Sequence, residues 1–528
     1  MTRNLERLSR GPFDVLVIGG GIYGLAIAYD ASLRGLETAL IDRGDFGGGS
    51  SFNHLRTIHG GLRYLQTLDV ARARESIRER RTFARIAPHA VVPLAFVLPL
   101  DASLTRGPLA MQAGFLLDRI VAFDRNDGVP ASHRLPPGRV TRAPAAAVWY
   151  DYITVEADRL TFSFALAAAQ HGAAIANYVS ARDMLVSERR VRGARVTAVD
   201  AGSTFDVQAR VVVNATGAAI DELLAPLGAP SGTSLLKAMN LVTTRLGSDR
   251  ALGGRTRSGR TLFQVPWRGR ALFGTWESPH AVRPEAAAAV DPSEVRAFIG
   301  EINEAFPDAH LTPEDVSLVH RGVVPARRVD GGVALEGHQI IHDHADAGIE
   351  GLLSVAGTKY TTARAVAEQV VDLAVAKLSR GSLPSRTAAV PLPGGDVDVD
   401  RANIEAATAY AGRLAPETIR HLVAAYGSAY RAVGDLCVSR EEWRRTLSSE
   451  SPVVAGQLVW AARHELVVTL ADALVRRTPL GALGRPADHV VEQAAAIVGA
   501  ECGWSSDRIR QEIENVDAVY GTLKASKT

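Results

Sequence analysis

The chain has 528 residues, too many for one ordinary core, so roughly two or three domains are expected. A net charge of only +2 gives no whole-molecule attraction to nucleic acid. The two cysteines, Cys437 and Cys502, build neither a disulfide framework nor a metal-ligand pattern, the polar start is no secretory signal, and no apolar run reaches membrane-spanning length, which points to the cytoplasm with peripheral membrane contact left open.

Phe13–Ile18 is a short apolar strand. Gly19-Gly20-Gly21-Ile22-Tyr23-Gly24 follows, a G-x-G-x-x-G turn that opens a small-residue helix from Leu25 to Arg34, stopped by Gly35. A second strand, Thr38–Ile41, ends at Asp42. Each part has a task in binding a dinucleotide. Gly19 allows the tight turn, Gly21 lets backbone approach a pyrophosphate, and Gly24 lets helix and strand pack closely. The helix N-terminus favours phosphate charge, and Asp42 can accept ribose hydroxyls.

Residues 69–87 read as a helix capped by Asp69 and ended by Pro88, with its arginines on a solvated face. Ala90 to Leu100 reads as a strand region, and Leu109 to Phe123 as a surface helix that packs on a core or touches a membrane. Arg159 to His171 is helical, stopped by Gly172. Strands follow at Val191–Val199 and Val207–Val213, the latter running into Asn214-Ala215-Thr216-Gly217. That turn either approaches a cofactor or simply joins strand to helix. Residues 235–277 alternate like antiparallel strands, with a hairpin turn at Trp267-Arg268-Gly269-Arg270. A last glycine turn, Gly357, lies between the strand Leu352–Val355 and a helix from Thr361. Gly381 to Gly395, with Pro384, Pro391 and Pro393, reads as a linker to a separable helical domain. In that domain Pro416 opens one helix and Gly427 closes it, Ser439-Arg440-Glu441-Glu442 reads as a capping box, and Thr469 to Arg477 is a further helix.

Three glycine motifs in this order carry a resemblance: the dinucleotide turn, then Ile58-His59-Gly60-Gly61-Leu62-Arg63-Tyr64-Leu65, and far downstream Gly357-Thr358-Lys359-Tyr360-Thr361-Thr362-Ala363-Arg364. With Asn214–Gly217, Arg463-His464-Glu465 and Arg476-Arg477-Thr478-Pro479-Leu480-Gly481, the chain resembles the FAD-dependent glycerol-3-phosphate dehydrogenases, linked to quinone or oxygen, from Phe13 to about Trp504. The resemblance implies an α/β fold: a Rossmann-like FAD domain of the glutathione-reductase type, an inserted antiparallel substrate sheet and a C-terminal helical cap. The corresponding spans are 1–90, 150–235 and 345–380 for the FAD domain, 91–149 and 236–344 for the substrate domain, 381–395 for the linker and 396–528 for the cap.

It also implies that Gly19, Gly21, Gly24 and Asp42 hold the ADP half of FAD, with Ser50 and Ser51 near the pyrophosphate. His59, Gly60, Arg63 and Tyr64 would line the flavin ring on one side, and Gly357, Thr358, Lys359, Thr361 and Thr362 would meet its other edge, with Thr216 and Gly217 also at the cofactor. Hydride leaves a secondary alcohol for the flavin, so the protein must take the hydroxyl proton. His59 is one candidate for that base and is otherwise a structural histidine of a glycine loop; Lys359 could polarise the alcohol or steady the flavin anion.

Three positions depart from the family pattern. Its phosphate-clamping arginine is replaced by Val324 in Gly322-Val323-Val324-Pro325. Trp276 stands where a small residue is usual, and Ala238-Met239 replace small residues after Lys237. Arg321, Arg327, Arg328 and Lys237 are the remaining cations for a substrate phosphate, and Trp276 would reshape the pocket. The expected substrate is therefore glycerol 3-phosphate or a related polyol phosphate. A larger or non-phosphorylated alcohol, or an amine, is the alternative, and a non-catalytic flavoprotein is a third reading. A homodimer is compatible with all of these.

Overall fold

The computed structural model describes residues 1–61, 69–100, 112–113, 116, 133–135, 146–199, 202–246, 248–287 and 289–520. Arg63, Tyr64 and almost all of the Leu109–Phe123 segment lie outside them.

Two sheets organise the chain. The first runs in the order Ile340–Asp343, Leu352–Ala356, Thr204–Asn214, Phe13–Ile18, Thr38–Ile41 and Ala174–Ala176. Its central pairs are parallel. Every residue of Phe13–Ile18 is buried, because a parallel strand is covered on both faces. Three helices, Ile22–Leu33, Ala157–Gln170 and Ala363–Lys377, cover one face through Leu25, Tyr29, Phe162, Phe164, Val366 and Val370. The hairpin Val179–Ser187/Arg190–Ala198 extends the strand Thr204–Asn214.

The second sheet runs Gly332–Leu335, Val316–Val329, Ser234–Leu246, Arg270–Glu277, Thr261–Trp267, Ala251–Arg255, Val92–Pro99, Ala146–Ile153 and Thr57–Ile58. The helix Pro292–Ala305 covers one face of it with Phe298 and Ile302. The predicted hairpin is present, with Arg268 and Gly269 both at positive φ, the geometry that suits a two-residue turn. Strand pairing moves several domain limits. Thr57–Ile58 pairs into the second sheet, Ala146–Ile153 crosses position 150, Ser234–Leu246 crosses 235, and Ile340–Asp343 belongs to the first sheet.

The C-terminal part is mainly helical, from Val399–Tyr410 to Ser506–Tyr520, with one small strand pair, Thr446–Ser448/Ser451–Val454, and a π-helical turn over Asp472–Arg477. Ser439 does not open a helix. Its hydroxyl donates to the Leu436 carbonyl at 2.7 Å, finishing the helix Tyr430–Val438, and only one turn, Glu442–Arg444, follows.

The expected free linker is strapped down. Ser385 donates to Asp30 at 2.6 Å, Arg34 donates to the Leu383 carbonyl at 2.8 Å, and the Leu392 amide donates to the Ile86 carbonyl at 2.9 Å. Its prolines and glycines shape turns against a neighbour rather than a tether. Nor is the helical part a separate body: Phe96, Val242 and Trp267 of the second sheet share one apolar cluster with Leu458, Leu474 and Val498.

Buried ion pairs fasten the same seam. Arg477 donates to both Asp45 oxygens at 2.7 and 2.8 Å, Arg476 adds a third contact, and Arg159 meets Glu465 at 2.6 Å. Burial alone would raise the Asp45 carboxyl, but the two guanidiniums outweigh it and hold that carboxyl well below the usual carboxylate range. The unfolded chain returns it to about 3.9. Its contribution is therefore complete above roughly pH 5 and is lost as pH falls through 4 and below. Arg477→Ala is expected to cost about 3 kcal/mol by leaving a buried carboxylate short of its main partner. The check is a lowered melting temperature at neutral pH together with an acid-unfolding midpoint at higher pH than wild type.

Candidate active site

The three glycines of the first turn behave differently. At Gly19, with φ +110, a Cβ would lie 2.5 Å from the Ala215 carbonyl oxygen, and at Gly24 one would lie 1.8 Å from the Gly19 carbonyl oxygen. These two are needed for the fold itself. At Gly21 a Cβ would meet only Ser51 Oγ, at 3.2 Å, and would otherwise project into an open cavity. Gly21 caps the helix Ile22–Leu33 without a side chain, and Ser51 Oγ accepts the Ile22 amide at 2.9 Å. Asp42 accepts the Gly20 and Gly44 amides at 2.5 and 2.7 Å, and burial raises its carboxyl. Asp42 borders the cavity, and a carboxylate oxygen that accepts one amide can accept a second donor. The clear space over Gly21 and this spare acceptor capacity fit the pyrophosphate and ribose of a dinucleotide.

The cavity, about 1930 Å³, continues from this turn to the second sheet. The loop Ser50–Leu55 forms part of its wall, and Gly322 lacks a Cβ where one would come within 3.1 Å of Ser50. The two downstream glycine motifs meet here. The His59 amide donates to Thr361 Oγ1 at 3.3 Å, and Tyr23 OH donates to the Lys359 carbonyl at 3.1 Å. At Gly357 a Cβ would stand 2.3 Å from Tyr23 OH, so a side chain there would push Tyr23 from its bond to the Lys359 carbonyl. The Gly60 amide donates to Asp151 at 2.7 Å, and Asp151 is paired with Arg80 at 2.5 Å. Thr362 is the N-cap of the helix Ala363–Lys377, so that helix starts directly behind Thr361. Its positive N-terminal end favours negative charge there.

Most expected site residues border this one cavity. At the dinucleotide end these are Gly19, Gly21, Asp42, Ser50, Ser51, Thr216 and Gly217. At the other end are His59, Gly357, Thr358, Lys359 and Thr361, with Arg321 and Arg327 on the strand Val316–Val329. Gly24, Gly60 and Thr362 stand behind the wall as packing and hydrogen-bonding supports.

Three expected substrate contacts are not there. Lys237 is buried on the other face of its strand and pairs with Glu294 of the covering helix at 2.6 Å. Trp276 packs with Phe298 and Ile299 on that same face, so it does not narrow the pocket. Arg328 is exposed and does not border the cavity. Val324 does border it, so the missing family arginine is missing from the cavity wall itself.

The sequence reading missed His54, which stacks on Tyr360 at 4.7 Å, accepts the Arg56 amide, and is pushed down to about 3 by burial and by Arg56. It missed Arg72, which borders the cavity and donates to the Gly337 carbonyl, and the pair Thr275–Asn240, in which Thr275 Oγ1 donates at 2.8 Å. Strand alternation points to Asn240 once Lys237 is known to face the helix; no local signal marks His54.

A dinucleotide turn, a second sheet closing over it and a cation-bearing cavity between them define a flavin-type oxidoreductase architecture. Residues 14–373 match the family described as FAD dependent oxidoreductase, and residues 385–509 match the C-terminal domain of alpha-glycerophosphate oxidase. The chain is 31% identical to a glycerol-3-phosphate dehydrogenase of Synechocystis sp., an alignment covering 97% of each chain. It is 30% identical to the mitochondrial glycerol-3-phosphate dehydrogenase of Homo sapiens, covering 95% of this chain and 72% of that protein. Among solved structures, the glycerol-3-phosphate dehydrogenase from Bacillus halodurans complexed with FAD superposes with a TM-score of 0.75 at 23% identity over 99% of both chains. L-proline dehydrogenase from P. horikoshii shares the fold over 70% of this chain and 95% of that one, with a TM-score of 0.51 and 17% identity. The chain belongs to the FAD dependent oxidoreductase family, in the branch that carries the alpha-glycerophosphate oxidase C-terminal domain. FAD is its cofactor and oxidoreduction its chemistry. Among the described residues no helix is long and apolar enough to cross a membrane.

Proposed function

We propose that the protein oxidises the secondary alcohol of glycerol 3-phosphate or a related polyol phosphate and hands the electrons to quinone or oxygen. One observation carries the reading: His59, Lys359 and Arg321 border the same cavity as the dinucleotide cradle. Bound FAD supplies the hydride acceptor, flavin N5. His59 takes the hydroxyl proton, since an ordinary imidazole titrates near neutrality. Lys359 holds the alcohol oxygen and the charge that gathers beside the helix start at Thr362. Arg321 stands in for the arginine absent at 324. It is part-buried, its side chain donates to the Val319 carbonyl at 3.4 Å, and a guanidinium is a strong donor to phosphate.

Anaerobic bleaching of the flavin by glycerol 3-phosphate tests the reading; no bleaching by any polyol phosphate would end it. Arg321→Ala is expected to raise the half-saturating concentration of a phosphorylated substrate by about 10–10³-fold, the worth of a lost charged contact. Arg328→Ala, on the exposed side, should leave it unchanged. The second reading, a larger or uncharged alcohol or an amine, is favoured by Val324, and the same bleaching screen separates it.

A further inference from the structure

Next to the loop that carries His59 the cavity wall turns aromatic. Phe96, Trp149 and Phe263 come from the strands Val92–Pro99, Ala146–Ile153 and Thr261–Trp267, and all three border the cavity. Phe96 and Trp149 stack at 5.6 Å, while Phe263 meets them edge-on at 5.8 and 6.4 Å. One strand, Ala251–Arg255, separates Phe263 from Phe96 in the sheet, and there the cross-strand partner of Phe263 is Gly253. A Cβ on Gly253 would stand 2.5 Å from Leu98 Cδ1 and 3.3 Å from Phe263, so the glycine leaves both side chains room beside the rings. Phe96 is core, but Trp149 and Phe263 are only half-buried. Trp149 is also aimed. Its indole N–H donates to one Asp151 oxygen at 3.1 Å, and the other Asp151 oxygen accepts the Gly60 amide at 2.7 Å. The aromatic wall is thereby fixed to the residue after His59.

We infer that this wall is a subsite for a flat or apolar ring carried by the substrate, so that the protein takes a polyol phosphate extended by a ring substituent in preference to the bare three-carbon compound. The inference rests on the polyol-phosphate reading above. A half-buried indole and phenyl beside the reacting position give a ring edge-to-face and stacked contacts that a three-carbon chain cannot make. The cavity, at about 1930 Å³, also exceeds the usual pocket range of roughly 300–1000 Å³, leaving room for a dinucleotide and a second molecule of some size.

Anaerobic flavin reduction by glycerol 3-phosphate and by its 1-O-benzyl ether tests this, because the two share the phosphate and the carbinol and differ only in the ring. The benzyl ether should half-saturate at a concentration lower by about tenfold or more. Trp149→Ala and the packing-conserving Phe263→Leu should each bring that ratio toward one. A wild-type ratio at or below one overturns the inference, as does a preference that survives both substitutions. Variants that lose flavin absorbance while keeping the preference would assign the wall to the cofactor instead and overturn it too. Bleaching by glycerol 3-phosphate without any preference removes this inference alone, whereas bleaching by neither compound removes the polyol-phosphate reading with it.

Discussion

Gly21→Val should fold, melt close to wild type and purify without flavin colour. The backbone at Gly21 is extended, with φ −73 and ψ 178, which valine adopts freely, and the new side chain meets only Ser51 before entering the cavity. It fills the space where a pyrophosphate must approach the helix N-terminus. Gly24→Ala, three residues on, should do the opposite kind of damage. Its methyl would collide with the Gly19 carbonyl, at a cost of about 3 kcal/mol or more, so thermal stability falls along with flavin content. Flavin absorbance and melting temperature, measured on both variants, separate the two effects. A fully yellow Gly21→Val protein would show that the dinucleotide does not lie over this turn.

His59→Ala and Lys359→Ala should each slow anaerobic flavin reduction by about 10²–10⁴-fold while leaving the protein yellow, the usual worth of a positioned acid or base. The geometry makes this a clean experiment. Both residues are held by main-chain groups, the His59 amide on Thr361 and the Lys359 carbonyl on Tyr23, and those contacts survive truncation of the side chain. Stopped-flow reduction at saturating substrate checks it, and unchanged rates in both variants would return the two residues to structural roles.

What was legible in the sequence was what is local. The strand, turn, helix and acid from Phe13 to Asp42 are specified by neighbours a few residues apart, and the structure has each of them. The glycines at 19 and 24 are likewise explained by backbone contacts that leave no room for a Cβ. Side-chain direction within the second sheet was not legible. The family pattern puts Trp276 and Lys237 at the substrate. A register shift between Met239 and Asn240 sets Trp276 opposite Met239, and both then face the covering helix. That irregularity has no signature in residue types. The C-terminal seam was invisible for another reason. Arg476 and Arg477 are 431 and 432 positions from Asp45, and nothing in either segment alone reveals a partner so far away.

Asp45 sits in the same turn as Gly44, whose amide holds Asp42, and it borders the cavity while gripping the helical part through Arg476 and Arg477. Whatever orders that turn serves two clients at once. FAD bound over this turn would steady the anchor to which the C-terminal helices are moored, and the mooring would in return pre-shape the lip of the cradle. By reciprocity the coupling must be equal in both directions. Stripping the flavin is therefore expected to lower the melting temperature through this seam as well as through the cradle, and weakening the seam is expected to loosen the flavin.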